Sequence, residues 1–315
     1  MKEIKISQGQ EHQRLDKFLK KYFKAAGTSF LYKMLRKKNI TLNHKKATGA
    51  EMLNSGDVIQ VFFSDETYDK MRGLTESNGE YEYLSKVPYE VKVIYEDEDI
   101  LVMDKPAGIL SQKAVDEDVS MNEMMLSYLI HTGKLSQEAF ETFHPSVANR
   151  LDRNTSGLLL AGKSLKGQQM LSEALRERRA EKYYQCVVKG VVEDAMVIEG
   201  YLTKDYKTNQ VRISNHMTED AKRIATAYQP VAWNDKYTLL SVHLITGRTH
   251  QIRAHLASIH HPILGDPKYG DAKENRFLRE TYGIRHQLLH AYHLKFENGQ
   301  EFISPVPKIF QQLVK

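Results

Sequence analysis

The sequence predicts an α+β protein of two domains. Strand-like and helix-like segments both occur along the chain, and its 315 residues are too many for one small hydrophobic core. Charge is distributed unevenly: residues 1–63 contain 13 lysines and arginines against 5 acidic residues, whereas residues 64–86 contain 3 against 6. The remainder, 87–315, has 29 of each. We therefore expect a small basic α/β domain over 1–63, an acidic linker over 64–86 and a larger domain over 87–315.

Two helices and short strands are predicted within the basic domain. Over residues 15–23, leucine and aromatic residues recur on one helical stripe, with lysines opposite. Gly27 can end this helix before a second one begins. Basic residues cluster on and just beyond that second helix and in the turn after it: Lys33, Arg36, Lys37, Lys38, Lys45 and Lys46. Such a cluster suits a phosphate backbone, although a solvated lysine-rich face has the same charge.

The segment 64–86 is polar and acidic, with glycines and scattered tyrosines. This composition is typical of a linker or a poorly ordered connection.

The larger domain is predicted to begin at Val87 and to open with two strands around an acidic turn. The second strand ends in a Lys-Pro-Ala-Gly loop at 105–108, and this pattern favours a hairpin. A helix is predicted over 168–179 and a strand over 182–190. Residues 240–245 alternate as a strand and lead into a Thr-Gly turn, after which polar residues can start another helix.

One carboxylate has an unusual setting. Asp152 stands between Arg150 and Arg153, and the apolar run at 158–161 that follows the next turn predicts a buried strand. Neighbouring cations favour the ionised carboxylate that a nucleophile or a general base requires. A surface ion pair, or an aspartate that caps the turn, would give the same pattern. The residues alone leave these alternatives open.

A family signature matches residues 150–160, which are Arg-Leu-Asp-Arg-Asn-Thr-Ser-Gly-Leu-Leu-Leu. They resemble the R-L-D-x-x-T-S-G-L-L motif of the pseudouridine synthases of the RluA type. The Lys-Pro-Ala-Gly loop, Lys-Tyr-Tyr at 182–184 and Thr-Gly-Arg-Thr-His-Gln-Ile-Arg at 246–253 resemble further blocks of that family, in its order. The resemblance spans nearly the whole chain. It implies an α+β fold with a mixed, mainly antiparallel sheet, and isomerisation of RNA uridine to pseudouridine.

The resemblance also implies roles for single residues. Asp152 is then the catalytic residue, which attacks or deprotonates the uridine so that uracil leaves its ribose, turns and rejoins through C5. Tyr184 stacks on the flipped uracil, Arg253 pairs with the aspartate, and Arg150 enters the gap that the base leaves in the RNA.

Two lysines of these blocks, Lys105 and Lys182, are expected at the substrate-binding site, Lys105 in a supporting role or in contact with the substrate phosphate. The register of the strand places Tyr183 on the face opposite to Tyr184. Tyrosine in a strand most often belongs to the core, so a core position is the alternative for Tyr184.

Residues 1–63 resemble the RNA-binding domain named after ribosomal protein S4, through the helix-helix-strand pattern and Arg-Leu-Asp-Lys-Phe-Leu at 14–19. The resemblance implies that the six clustered basic residues meet RNA. Asp16 repeats the Arg-Leu-Asp triplet but no Thr-Ser-Gly turn follows it, so we expect a helix start there and not a second active site.

The chain departs from the family pattern at Asn149, where relatives have His or Tyr. Asparagine can still bond to backbone or RNA, so the change is expected to alter how the loop is held and not to abolish the chemistry.

Two other classes of function compete with this interpretation. The first is a metal hydrolase built on the seven histidines between His250 and His293, although no H-E-x-x-H or equivalent motif occurs. The second is a non-catalytic RNA-binding or ribosome assembly factor, which would be free to lose the acid, the tyrosine or the arginine. A different uridine chemistry would need a cofactor site, and no Gly-rich nucleotide loop occurs in the sequence.

The composition narrows the setting. One cysteine, Cys186, excludes an internal disulfide and a cysteine-built zinc site and suits a reducing cytoplasm. No apolar run approaches the roughly 20 residues needed to span a bilayer. We expect a cytoplasmic monomer that needs no metal or organic cofactor. Its expected partner is RNA, with large-subunit (23S) ribosomal RNA as the target and transfer RNA as the alternative.

Overall fold

The N-terminal part of the protein is a four-stranded sheet covered by two helices. The computed structural model describes residues 1–6, 9–205, 208 and 210–315, with the side chains of 74–78 outside the description. The elements are β1 (Lys2–Lys5), α1 (Leu15–Tyr22), α2 (Thr28–Arg36), β2 (Ile40–Leu42), β3 (Lys45–Lys46) and β4 (Val58–Val61). The strand order is β1-β4-β2-β3, and every pair is antiparallel.

The apolar stripe of α1 forms the centre of this part. Leu15, Phe18 and Leu19 are fully buried against the sheet, whereas Lys17 and Lys20 on the same helix are exposed. This alternation at three- and four-residue spacing is what an amphipathic helix requires. The predicted helical stripe is therefore confirmed.

Residues 64–86, expected to be a linker or a poorly ordered connection, contain two helices. Helix α3 (Asp65–Arg72) begins at Ser64, whose hydroxyl accepts a hydrogen bond from the backbone N–H three residues later. Helix α4 (Leu74–Lys86) follows Gly73, which has a left-handed backbone with φ of 65°. A polar, acidic composition of this kind therefore also occurs in short helices that bury few residues.

The two helices pack against different parts of the molecule. Tyr68 and Met71 of α3 pack against the N-terminal core. Leu84 of α4 is buried in a different core, beside Tyr81, together with residues of the C-terminal part. The change in packing partner falls at Gly73, where the left-handed conformation turns the chain.

The C-terminal part is a large sheet with helices on both faces. Its strands are β5 (Val93–Glu96), β6 (Ile100–Lys105), β7 (Ser146–Val147), β8 (Ser156–Gly162), β9 (Ala180–Lys189), β10 (Met196–Asp205), β11 (Gln210–Ser214), β12 (Lys222–Trp233), β13 (Tyr237–His243), β14 (Leu289–Phe296) and β15 (Glu301–Ile303). Its helices are α5 (Met121–His131), α6 (Gln137–Thr142), α7 (Leu165–Arg176), α8 (Gln251–Ser258), α9 (Ala272–Tyr282) and α10 (Ile309–Gln312).

The sheet is mixed and mainly antiparallel, as predicted. Its order is β11-β10-β12-β13-β9-β14-β8-β6-β5, with β15 added to β14 and β7 added to β8. Strands β8 and β14 run parallel, and the other recorded pairs are antiparallel.

The two faces of the central strands carry separate cores. Ile252 and Leu256 of α8 pack with Cys186 on one face. Phe310 of α10 packs with Val187 on the other. Successive residues of a strand point to opposite faces, so β9 contributes to both cores at once.

Among the described residues, no helix is long and apolar enough to cross a membrane.

Gly157 lies where β8 meets β14, directly after the loop that contains Asp152. Its φ is 109°, and a Cβ there would lie 2.2 Å from the carbonyl oxygen of Ala291. Only glycine fits a backbone contact this close. This contact fixes the start of β8 and therefore the end of the Asp152 loop.

We expect Gly157→Ala to lower the free energy of unfolding by about 3 kcal/mol, because the new methyl group meets backbone that cannot move aside. Urea denaturation measures this. The control is Gly108→Ala, at φ of 97° with no atom within 4 Å of the added Cβ, which should cost only about 1 kcal/mol of conformational strain. Equal losses in the two variants would contradict the close-contact argument.

Candidate active site

Asp152 lies in the loop between β7 and β8, with 24% of its side chain exposed. Asn149 attaches the start of this loop to β8: its side-chain amide donates to the Leu158 carbonyl at 3.3 Å, and its side-chain oxygen accepts from Leu160 N at 2.7 Å. The asparagine thus imitates one residue of a paired strand. The departure from the family pattern at this position keeps the loop anchored to the sheet.

The rest of the loop is held through its backbone. The Ser111 hydroxyl accepts from Leu151 N and donates to Leu151 O, both at 2.9 Å. Thr155 N donates to Asp152 O at 3.0 Å and closes the turn. Because these bonds involve main-chain atoms on both sides of Asp152, they fix where its side chain begins.

Lys105 lies beneath this loop and is fully buried. Its ammonium donates to three carbonyl oxygens, of Pro106 at 2.9 Å, Ile109 at 2.6 Å and Arg153 at 2.9 Å. Burial lowers the pKa of Lys105 to about 8, and the charge of Asp152 opposes that shift. All three N–H groups are used within the protein, which favours the supporting role expected for Lys105 over a contact with substrate phosphate. Lys105 ties two loops together below Asp152.

Arg253 of α8 joins two carboxylates. Its Nη1 donates to Asp152 Oδ2 at 2.7 Å, while Nε and Nη2 donate to the two oxygens of Asp266 at 2.7 and 2.9 Å. The side chains of Arg253 and Asp266 are 5% and 0% exposed. Burial opposes the charged guanidinium, but the bond to Asp266 and the two negative charges raise the pKa of Arg253. The predicted pairing of Arg253 with Asp152 is therefore present in the structure.

Asp266 is a site residue that the sequence analysis missed. It follows Gly265, in a segment to which the sequence analysis assigned no role. Besides the fork of Arg253, its Oδ1 accepts the backbone N–H groups of Lys268 and Tyr269 at 2.8 and 3.1 Å. A buried arginine needs a buried counter-charge. That requirement could have pointed to a second acidic partner for Arg253 besides Asp152.

His250 also faces Asp152 and was not singled out as a site residue. It precedes α8 with φ of 53°, and its Nε2 lies 3.9 Å from Asp152 Oδ2. Its Nδ1 lies 2.9 Å from the hydroxyl of Tyr269, which accepts a hydrogen bond from Val211 N at 2.9 Å. A Tyr269 hydroxyl that donates to Nδ1 leaves the proton of the neutral ring on Nε2, toward Asp152.

The side chain of Gln251 shapes the turn before α8. It accepts from Arg248 N at 3.1 Å and from the Thr246 hydroxyl at 2.9 Å, and it donates to Ala225 O at 3.0 Å. These bonds attach the turn to β12. They account for the position of His250 and Arg253 on the side of α8 that faces the loop.

Tyr184 lies on the face of β9 that carries the site. It pairs with Val242 across the sheet, is 7% exposed and shares a core with Leu151. Burial and the charge of Asp152 raise its pKa, so the phenol stays neutral. Tyr183 points to the opposite face, where it stacks between His243 and His293 with ring centroids 4.7 and 5.3 Å away.

The other predicted contacts lie at or near the surface. Arg150 is exposed, and its guanidinium has no hydrogen-bond or ion-pair partner among the described residues. Lys182 is half-buried. Its ammonium lies beside Gly247, 3.5 Å from the position that an added Cβ would take there. Burial and the charge of Arg178 lower the pKa of Lys182. The basic cluster of the N-terminal part is exposed on α2, after its end and on β3: Lys33, Arg36, Lys37, Lys38, Lys45 and Lys46.

The RNA pseudouridylate synthase family model matches residues 99–258, which contain Asp152, Tyr184 and Arg253. An uncharacterized RNA pseudouridine synthase of Mycoplasma genitalium is 31% identical, over 94% of this chain and 89% of that protein. The chain belongs to the RNA pseudouridylate synthase family. It is thus an isomerase that acts on RNA.

Other pseudouridine synthases resemble the chain over most of its length. Ribosomal large subunit pseudouridine synthase C of Buchnera aphidicola is 28% identical over 99% of this chain and 96% of that protein. The solved structure of Human RNA Pseudouridylate Synthase Domain Containing 4 covers 76% of this chain and 96% of its own, with a TM-score of 0.58 and 18% identity. The structural likeness shows that the fold is that of a pseudouridine synthase.

The C-terminal histidines are dispersed over the synthase domain. His255 bonds to the Thr226 hydroxyl at 3.0 Å, His290 to that of Ser156 at 2.8 Å, and His293 to Glu301 at 3.0 Å. Within the part of the chain that the structure describes, no three His, Cys, Asp or Glu side chains form a group that could hold a metal ion.

The rate of pseudouridine formation by this synthase should fall at acid pH. Burial lowers the pKa of His250, so the ring is neutral near pH 7 and gains its proton only below the ordinary histidine range. Protonated His250 would give Asp152 a second cationic partner and weaken its reactivity. We expect a loss of up to about tenfold per pH unit below that titration. Single-turnover rates measured against pH would show it.

The matched variant is His250→Gln, which keeps an N–H donor toward Asp152 but cannot be protonated in this range. Its acid limb should be displaced to lower pH. His243→Gln, on the opposite face of the sheet, should leave the profile unchanged. An identical acid limb in wild type and His250→Gln would contradict the role of His250.

Proposed function

We propose that this protein converts uridine to pseudouridine in large-subunit ribosomal RNA, with Asp152 as the catalytic residue. The observation that carries the proposal is the state of its carboxylate. Oδ2 is bound to Arg253, whereas Oδ1 has no partner among the described residues and the side chain is 24% exposed. One oxygen is held and the other is available to a substrate.

In the proposed reaction the N1–C1′ bond of uridine breaks and a C5–C1′ bond forms. The proton lost from C5 balances the proton gained at N1, so no oxidant or reductant is needed. Asp152 acts on the ribose as nucleophile or general base. Arg253 holds it with a charge that does not titrate, and the position of that charge is set in advance by Asp266.

Tyr184 is proposed to stack on the detached uracil. It is a neutral phenol on the same face as Asp152, and its hydroxyl has no partner among the described residues, which suits a group that meets a base. Arg150 is proposed to fill the gap that the flipped base leaves. Its exposed, unpaired guanidinium at the start of the catalytic loop supports this, because extrusion of a base costs a few kcal/mol that a cation among phosphates can offset. Lys182 is proposed as a further substrate contact.

The N-terminal part is proposed to bind RNA as an S4-like domain. Its six clustered basic residues are exposed and have no ion-pair partners among the described residues. Contacts of this kind hold the phosphate backbone without reading sequence. Transfer RNA is the alternative target, and an assembly factor without activity is the alternative function.

The relatives support the choice of target. The synthase C of Buchnera aphidicola and the synthase D of Borreliella burgdorferi, 32% identical over 72% of this chain, are both named for the ribosomal large subunit. We propose that the enzyme acts in the cytoplasm, because large-subunit ribosomal RNA is found there in bacteria. A monomer is proposed because one chain supplies Asp152, Arg253, Asp266 and Tyr184.

Asp152→Asn should abolish the release of tritium from large-subunit ribosomal RNA transcripts labelled at uridine C5, with a rate loss of at least about 10³-fold. RNA affinity, measured by filter binding, should stay within about threefold of wild type because the charge removed is already paired. The control is Asp16→Asn, which changes the same Arg-Leu-Asp triplet in the N-terminal part. Equal loss of binding and activity in Asp152→Asn would remove the catalytic assignment.

Neutral substitution of Lys33, Arg36 and Lys37 should weaken RNA binding and flatten its salt dependence. Each lost phosphate contact should reduce the slope of log K against log salt by about 0.7 to 0.9. The control removes three exposed lysines of the rest of the chain: Lys86, Lys295 and Lys308. A slope that changes equally in the two triple variants would contradict a specific RNA-binding surface.

A further inference from the structure

The two parts of the protein meet at a buried ion pair. Arg72, the last residue of α3, pairs with Glu141 of α6. Their side chains are only 10% and 11% exposed. Because α3 packs on the N-terminal core and α6 belongs to the C-terminal part, this ion pair joins the two cores.

The guanidinium of Arg72 is held in place by aromatic rings. It lies 4.0 Å from the ring centroid of Tyr22 and 6.0 Å from that of Tyr68, and the hydroxyls of these tyrosines are 2.6 Å apart. A planar cation over an aromatic face gains from the ring quadrupole, more so where water is excluded. The N-terminal part thus presents a preformed cation to Glu141.

Two further contacts lie along the same junction. Gln10 donates to the Thr142 hydroxyl at 2.5 Å, and Leu165 N donates to Gly9 O at 3.4 Å. Helix α1 also contacts α6. The junction therefore spans more than one point, which a single surface ion pair would not achieve.

The junction contains charged and polar groups. Nη1 of Arg72 is buried without a hydrogen-bond partner among the described residues. Separation would return both charges to water, and closure recovers their attraction at low dielectric. Gly73, directly after Arg72, has a left-handed backbone, and a Cβ built there would meet the nearest atoms, of Ala25 and Lys24, only at 3.7 to 3.9 Å. The ion pair therefore lies directly beside a backbone position that can change conformation at little steric cost.

We propose that Arg72 and Glu141 form a latch that fixes the basic N-terminal surface relative to Asp152 and so helps to select the uridine that is modified. This inference rests on the proposed function. With the latch closed, an RNA held by the basic surface offers the active site only those uridines that lie at one distance and direction. With the latch open, the two parts are joined by a hinge, and the effective concentration of the correct uridine falls.

Electron paramagnetic resonance on the full-length protein would test the latch without RNA. Spin labels would be placed on Ser29→Cys in α2 and Met170→Cys in α7, both exposed helical positions. The native Cys186 is fully buried and would remain unlabelled. We expect one narrow distance in wild type and a broad distribution in both Arg72→Leu and Glu141→Gln. Narrow, unchanged distances in both variants would overturn the proposal.

Activity provides the second readout. On large-subunit ribosomal RNA transcripts, Arg72→Leu and Glu141→Gln should raise KM by about tenfold, with the single-turnover rate at saturating RNA within about twofold of wild type. The double variant Arg72→Glu/Glu141→Arg should recover part of the loss. Arg223→Leu, which breaks an exposed arginine–glutamate pair, should have no effect. A fall in the single-turnover rate with unchanged KM would instead indicate damage to the active site and would overturn the latch.

The two proposals fail in different ways. Absence of tritium release by the wild-type protein would refute the proposed function, and the spin-label distances would still decide whether the latch exists. Normal release by wild type together with unchanged KM in both latch variants would refute the latch alone. If Arg72→Leu lowers the melting temperature, Glu141→Gln, which removes the charge but retains the shape, carries the test.

Discussion

The buried guanidinium of Arg253 is the constraint on which the active site depends. A cation that is 5% exposed requires a counter-charge, and Asp266 meets that need with both oxygens. Asp266 is itself fixed by two backbone N–H groups, so the guanidinium cannot turn. Its remaining nitrogen then presents a donor at one position, where Asp152 binds. The Asp152 carboxylate is thus positioned by an ion pair that does not include it, which is the supporting arrangement a preorganised site requires.

The sheet provides the second half of this arrangement. The loop with Asp152 ends where β8 begins to pair in parallel with β14, and the close contact of Gly157 with Ala291 permits no displacement there. Asn149, Ser111 and Lys105 hold the loop elsewhere through its backbone. Arg253 approaches from α8, which packs on the same face of the sheet. Two separate packing systems therefore meet at one carboxylate, and an error in either would move Asp152 from its partner.

The sequence predicts positions that follow from a family motif or from strand alternation. The family resemblance implied the pairing of Asp152 with Arg253, and the strict one-residue alternation of a strand put Tyr184 and Tyr183 on opposite faces. Contacts that depend on distant backbone could not be predicted in this way: the carbonyl from Arg153 that engages Lys105 is contributed 48 residues later. His250 and Tyr269 were missed for the same reason, since their contact forms only when the turn before α8 meets the loop after it. The helices of 64–86 depend on tertiary burial of residues such as Leu84, which local composition does not reveal.

The geometry of the site also bears on how a target is chosen. The groups around Asp152 are a fixed guanidinium, a neutral phenol and an imidazole, and all of them suit a uridine of any sequence context. Discrimination must then arise from RNA shape and from contacts outside the pocket. The basic surface of α2 and β3 is the proposed source of such contacts, but it can select a position only if its distance from Asp152 is defined. A continuous flexible linker would not define that distance. Helices α3 and α4 pack on different cores and meet at Gly73, and a buried ion pair lies beside that residue. This arrangement would define the distance.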